Sequence, residues 1–249
     1  MIPPGKARAV ARRALPLLDL TDLSETCGEP AIAALCTKAL APGGPVAAVC
    51  VWPRFVRAAA GLLAGTPVRI ATVVNFPQGG EDVAGTVAAT EAALADGAGE
   101  IDLVLPYRAL MRGDEAAARA MVAGVRRCVT GGRSLKLILE TGELGDPALI
   151  DRASRLGLDA GADFLKTSTG KSPVSATPDA ARAMLEAIRA AGSGAGLKVS
   201  GGLRRVEDAA TYLALADRVM GPGWVSARTF RLGASSLHDA LSSALAGEG

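Results

Sequence analysis

The 249 residues suit one large domain or two small ones, and 49% hydrophobic but only 3% aromatic content predicts a core of small aliphatic side chains rather than rings. Lys and Arg number 27 against 25 Asp and Glu, and with a net charge of +2 and no run of like charge, nucleic acid is an unfavoured partner. No stretch approaches the ~18 apolar residues of a membrane span, and Cys27, Cys36, Cys50 and Cys128 form no CxxC pair, which disfavours a zinc site or a disulfide framework. Reduced, mostly buried thiols and a basic N-terminus without an apolar signal-peptide region predict the cytosol.

In chain order, the first ~14 residues predict a helix laid across the bottom of the fold. Strand-like runs then follow at 15–21 (LPLLDLT), 46–52 (VAAVCVW), 68–76 (VRIATVVNF) and 100–106 (EIDLVLP). Further runs lie at 135–141 (LKLILET), 163–169 (DFLKTST) and 197–202 (LKVSGG), and an eighth strand is expected near 218–221 (RVMG). Most are continuous rather than alternating, as in strands buried on both faces of a parallel sheet. Between them, 81–98 places Val83, Val87 and Leu94 on one helical face. Segment 114–129 opens with acids and ends with arginines, matching the helix dipole. Segments 147–160 and 178–191 each begin with a capping side chain and a proline, Asp146–Pro147 and Thr177–Pro178. Segment 205–216 completes the series. Strands alternating with helices, without a linker, predict a single α/β domain over 1–249, a (β/α)8 TIM barrel with an extra N-terminal helix. The competing doubly wound sheet lacks its GxGxxG fingerprint after the first strand.

In such a barrel the C-terminal ends of the strands face the active site. The strand ends offer Asp19 and Thr21, Cys50, Asn75, Asp102, Lys136 and Glu140, Lys166, and Lys198. One buried lysine–aspartate pair could be plain packing; three lysines on consecutive strands beside Asp102 are costly unless used, because an unpaired interior charge costs several kcal/mol. Ammonium groups crowded in a partly dry pocket repel, and one of them loses its proton and can attack a carbonyl. The resulting iminium is an electron sink for making or breaking a carbon–carbon bond, with a carboxylate and a second lysine to move protons. That chemistry needs no metal and no organic cofactor. The glycine- and serine-rich stretches STGKS (168–172), SGG (200–202) and RLGASS (231–236) fall at neighbouring rims, where backbone N–H groups can hold phosphate. A small phosphorylated carbonyl compound is the expected partner. His238 is expected to pack or lie on the surface, and Trp52 and Trp224 to fill core or rim.

The segments DLT (19–21), VCVWPRFV (49–56), NFPQGG (75–80), EIDLVLPYRALMRGD (100–114), LKLILETGEL (135–144), DFLKTSTGKS (163–172), LKVSGGLR (197–204) and FRLGASSL (230–237) resemble the deoxyribose-phosphate aldolases of the DeoC family, class I aldolases. The resemblance spans about residues 15–241. It implies Lys166 as the Schiff-base lysine, Lys198 as the lysine that depresses its pKa, and Asp102 as the acid/base group acting with a water. Cys50 would line the pocket, Asp19 and Thr21 would shape the sugar-hydroxyl side, and Lys136 would support the charge network, with Lys136 and Thr167 also counted on the substrate side. Phosphate would rest on Gly170, Lys171, Gly201, Gly202, Gly233, Ser235 and Ser236. The family further implies a cytoplasmic homodimer in deoxyribose phosphate catabolism.

Two departures stand out. The chain reads KVSGG where one branch of the family has KPAGG. It ends LSSALAGEG, with Tyr107 and Tyr212 its only tyrosines, where some members end in a tyrosine that reaches the active site. The resemblance then implies slower, or water-served, protonation of the enamine. Three other readings remain open: a Schiff-base lyase for a different phosphorylated carbonyl, an isomerase using Asp102 and Glu140 without covalent chemistry, and a non-catalytic phosphosugar-binding barrel.

Overall fold

The computed structural model describes residues 2–247. Eight parallel strands close into a barrel in sequence order: β1 (Leu18–Asp22), β2 (Ala48–Val51), β3 (Arg69–Val74), β4 (Glu100–Val104), β5 (Ser134–Ile138), β6 (Phe164–Lys166), β7 (Gly196–Ser200) and β8 (Phe230–Ala234). The helices between and around them are α1 (Pro4–Ala14), α2 (Glu29–Lys38), α3 (Val56–Leu62), α4 (Val83–Ala95), α5 (Tyr107–Met111), α6 (Glu115–Cys128), α7 (Thr141–Leu144), α8 (Pro147–Asp159), α9 (Pro178–Ala191), α10 (Val206–Met220) and α11 (Leu237–Ala246). The caps read from the sequence hold: Asp146 accepts from the Ala148 N–H and Thr177 from the Ala180 N–H, each just ahead of its proline. No helix among the described residues is long and apolar enough to cross a membrane.

Two expectations are corrected. The apolar run RVMG is the last turn of α10, and the eighth strand is Phe230–Ala234. Phe230, Leu232 and Ala234 belong to the main apolar core, whereas Arg231 bonds the interior carboxylates. Most of this strand falls within the RLGASS stretch that was read as a phosphate-binding rim, which hid it as a strand. Helix α1 does not lie across the bottom of the barrel. It runs beside α10 and α11 on the flank, with the Ile2 N–H donating to Glu207 at one end of α10 and Arg13 paired with Asp217 near the other.

Alternation along the strands separates two cores. The larger lies between strands and helices. The smaller sits inside the bore, where Ala48 and Cys50 of β2 meet Ala71 and Val73 of β3 under Leu23. The rest of the bore is charged. Asp19, Glu100, Asp102, Lys136, Lys166, Lys198 and Arg231 are all buried there, three carboxylates facing four cations.

Candidate active site

The strand register places the charges in tiers. Asp102 of β4 lies beside Lys136 of β5, and Ile138, two residues further up β5, lies beside Lys166 of β6, which in turn neighbours Lys198 of β7. Lys136 is therefore a tier deeper than Lys166. Its Nζ contacts three carboxylates: Glu100 at 2.5 Å, Asp102 at 2.9 Å and Asp19 at 3.5 Å. Lys198 contacts two, Asp19 at 2.6 Å and Asp102 at 2.7 Å, and Arg231 contacts two, Asp19 at 2.6 Å and Glu100 at 2.9 Å. Lys166 contacts one, Asp102 at 2.8 Å. The Lys166 and Lys198 amines share a single acceptor, Oδ2 of Asp102.

These counts decide the protonation states. Burial works to strip the proton from every lysine here. At Lys136, Asp102, Glu100 and Asp19 outweigh it, and at Lys198, Asp102 and Asp19 do, so both amines stay charged above the ordinary lysine value. At Lys166 burial prevails over Asp102, Lys198 pushes the same way, and the pKa falls below the ordinary value. The sequence-based reading credited repulsion from Lys198 with this depression; burial is the larger cause and Lys198 adds to it. For Asp102, burial is outweighed by Lys136, Lys166 and Lys198 together, which hold the carboxyl well below the usual range, and Asp19 is likewise depressed. The site is thus a carboxylate holding three amines, of which Lys166 alone has its pKa lowered rather than raised.

Above this cluster opens a cavity of about 600 Å³, into which Lys166 and Lys198 project. Its rim carries Thr21, Gly170, Lys171, Gly201, Gly202, Gly233, Ser235 and Ser236, so the rim stretches singled out in the sequence do converge. Gly201 has φ +89, and a Cβ there would stand 2.5 Å from Ser175, so two loops approach through its missing side chain. The Lys171 ammonium donates to the Leu23 carbonyl at 2.8 Å, fastening the loop after β6 to the loop after β1. Ser235 donates to the Thr21 carbonyl at 2.7 Å.

Four expected substrate-side residues lie behind the wall instead of on it. Lys136 and Asp19 are fully buried among the lower charges, and Cys50 belongs to the small apolar cluster of the bore, where burial raises its thiol pKa. Thr167 is a strut: its hydroxyl donates to the Ser200 carbonyl and accepts the Ser200 N–H, tying the end of β6 to β7. Thr21 reaches the cavity, with its hydroxyl turned to the Asp19 carbonyl. Glu140, in the left-handed region at φ 57, accepts from the hydroxyl and N–H of Thr169 and so braces the loop that follows Lys166. Asn75 likewise serves the backbone, bonding Gly80 and the Val104 carbonyl. His238 is buried, as a packing residue.

Sequence reading passed over Asp22, Ser200 and Arg204, which also line the cavity. Ser200 opens the SGG stretch that was singled out and Arg204 lies two residues beyond it, which was the available signal. Glu100 and Arg231 were missed as well. Gly233 faces Lys198 so closely that a Cβ would stand 2.9 Å from its Cε and 2.8 Å from the Ser200 Cβ. Gly233→Ala is therefore expected to cost about 1–3 kcal/mol of stability and to lower kcat by displacing the Lys198 amine. Thermal melts and steady-state kinetics on the variant check both.

Among the described residues no group of three or more His, Cys, Asp or Glu side chains is arranged to hold a metal ion. Residues 17–242 match the profile of the DeoC/LacD family aldolases. The chain is 52% identical over 243 residues to a deoxyribose-phosphate aldolase from Agrobacterium fabrum (strain C58 / ATCC 33970), covering 97% of this chain and 94% of that one. Among solved structures, the apo form of a Toxoplasma gondii ME49 protein provisionally given the same name superposes with TM-score 0.88 at 27% identity, covering 97% of each chain. A deoxyribose phosphate aldolase from Aeropyrum pernix, described as tetrameric, superposes with TM-score 0.77 at 25% identity, covering 96% of this chain and 92% of that one.

Proposed function

The chain belongs to the DeoC/LacD family of aldolases, and from that premise we propose that it is a class I aldolase that reversibly cleaves 2-deoxy-D-ribose 5-phosphate to D-glyceraldehyde 3-phosphate and acetaldehyde. The observation that carries the reading is the charge arrangement. Lys166, alone among the four bore cations in contacting a single carboxylate, projects into the cavity with a lowered pKa. A neutral amine at that place is the nucleophile a Schiff-base mechanism needs.

In the cleavage direction the Lys166 amine adds to C1 of the open-chain aldehyde. The carbinolamine loses water to form an iminium. Loss of the C3 hydroxyl proton breaks the C2–C3 bond, its electron pair flows to the iminium as an enamine, and glyceraldehyde 3-phosphate departs. Protonation at C2 and hydrolysis then release acetaldehyde and restore Lys166. Lys198, which stays charged, supplies and recovers protons near the reacting atoms, and Asp102, held ionised, orients both amines and relays protons through water. Gly170, Gly201, Gly202, Gly233, Ser235 and Ser236 offer backbone and hydroxyl donors to the phosphate, and Lys171 joins them by leaving the Leu23 carbonyl. Asp19 and Lys136 act from beneath, and Cys50 and Thr167 shape the wall from behind.

The isomerase alternative requires Asp102 and Glu140 to face one substrate. Glu140 is instead committed to Thr169, and Asp102 to three lysines. We read the enzyme as cytosolic, in keeping with its free cysteines, and, from the family, as a homodimer. Acetaldehyde release from deoxyribose 5-phosphate is the expected activity. Borohydride reduction in the presence of acetaldehyde is expected to add mass to the peptide carrying Lys166. An enzyme active under the same conditions without that adduct would end the covalent reading.

A further inference from the structure

The floor of the barrel holds a second set of charges with no part in the chemistry above. Glu100, at the start of β4, and Arg231, on β8, are nearly fully buried and pair at 2.9 Å. Both line a cavity of about 610 Å³ at the N-terminal ends of the strands, opposite the mouth that Lys166 faces. From this pair a continuous ionic chain climbs the bore. Arg231 contacts Asp19 and Asp19 contacts Lys198, while Glu100 contacts Lys136 and Lys136 contacts Asp102. Both branches meet on Asp102, the acceptor of the Lys166 amine.

We propose that Glu100 and Arg231 are positioning residues that fix the charge carried by Lys166 from the far end of the barrel. The buried ion-pair network of the bore holds one more cation than carboxylate when every group is ionised; the other buried carboxylate, Glu140, stands outside it, bonded to Thr169. A low-dielectric interior does not tolerate the excess, and it is relieved where one cation has the fewest carboxylates and reaches solvent. That cation is Lys166. The floor pair sets the size of the excess. Removing the Glu100 charge enlarges it, frees Lys136 to draw more on Asp102, and leaves Lys166 easier to deprotonate. Removing the Arg231 charge abolishes the excess and lets Lys166 keep its proton. The groups facing Lys166 are Asp102 from β4, Lys198 from β7 and Cys50 from β2. Those facing the floor pair are Lys136 from β5, Asp19 from β1 and Arg69 from β3, the last 3.8 Å from Glu100.

This inference rests on Lys166 being the nucleophile, and its test separates the two claims. The midpoint of the pH dependence of cyanoborohydride trapping with acetaldehyde is measured in wild type, Glu100→Gln, Arg231→Met and the double variant. A unit charge roughly 10 Å away at an effective dielectric of about 20 moves the midpoint by about one pH unit. Glu100→Gln is expected to move it down, Arg231→Met to move it up, and the double variant, which restores an excess of one cation, to return it close to wild type. A merely structural role would lower activity in both single variants without opposite shifts. Arg69 is half exposed, so Arg69→Glu tests the same field without disturbing the core and is expected to move the midpoint upward by a few tenths of a pH unit. Midpoints that stay put in the folded variants, Arg69→Glu included, overturn the proposal. Trapping in wild type at a residue other than Lys166 overturns the functional reading on which it stands.

Discussion

Lys166→Ala is expected to lower turnover by ~10⁴-fold or more, because no covalent path remains once the amine is gone. The same substitution is expected to leave the fold almost untouched. Lys166 has one ionic partner, and Asp102 keeps Lys136 and Lys198 after it is lost. The bore then holds three cations against three carboxylates, so the change relieves an imbalance as it removes a side chain. Steady-state rates on deoxyribose 5-phosphate beside a thermal melt check the pair of outcomes. A variant that loses activity only because it unfolds would contradict the charge accounting.

Asp102→Asn is expected to act in the opposite proportion, damaging stability and activity together. Three lysine amines lean on that carboxylate, and it is fully buried. Removing one partner from a buried ionic network leaves uncompensated charge and costs about 3–5 kcal/mol, which for a chain of this size is a fall in melting temperature of roughly 10 °C. Thermal melts of the two variants side by side make the test: Asp102→Asn should fall well below Lys166→Ala. Equal melting temperatures would mean that the carboxylate does not organise the bore.

The barrel was legible in the sequence because seven of its strands are largely buried and read as short, mostly apolar runs between helical segments. β8 was not, because Arg231 and Gly233 belong to a glycine–serine stretch that reads as a rim loop, while the end of α10 imitates a strand with Val219 and Met220. The candidate site was legible as a list of charged residues on otherwise aliphatic strands. Its depth was not. Whether Lys136 stands at the mouth or one tier below follows from the register between β4, β5 and β6, which a single chain of letters does not contain. Glu100 escaped notice because an acid that opens a strand looks like a solvated end, and Arg231 because it sits beside a glycine–serine loop that invites a phosphate reading. Cys50 and Thr167 were placed on the substrate side by the family resemblance, whereas their side chains are fully buried.

Helix α1 bears on all of this from outside. It is splinted along α10 and α11, the two helices that begin just beyond the Gly201–Gly202 and Ser235–Ser236 rims. Anything attached ahead of Pro4 is thereby brought towards the helices whose first turns follow the rim proposed to hold phosphate. If that rim holds phosphate as proposed, a tag or fusion partner at this terminus is expected to raise KM before it lowers kcat, which kinetics on tagged and untagged protein would check.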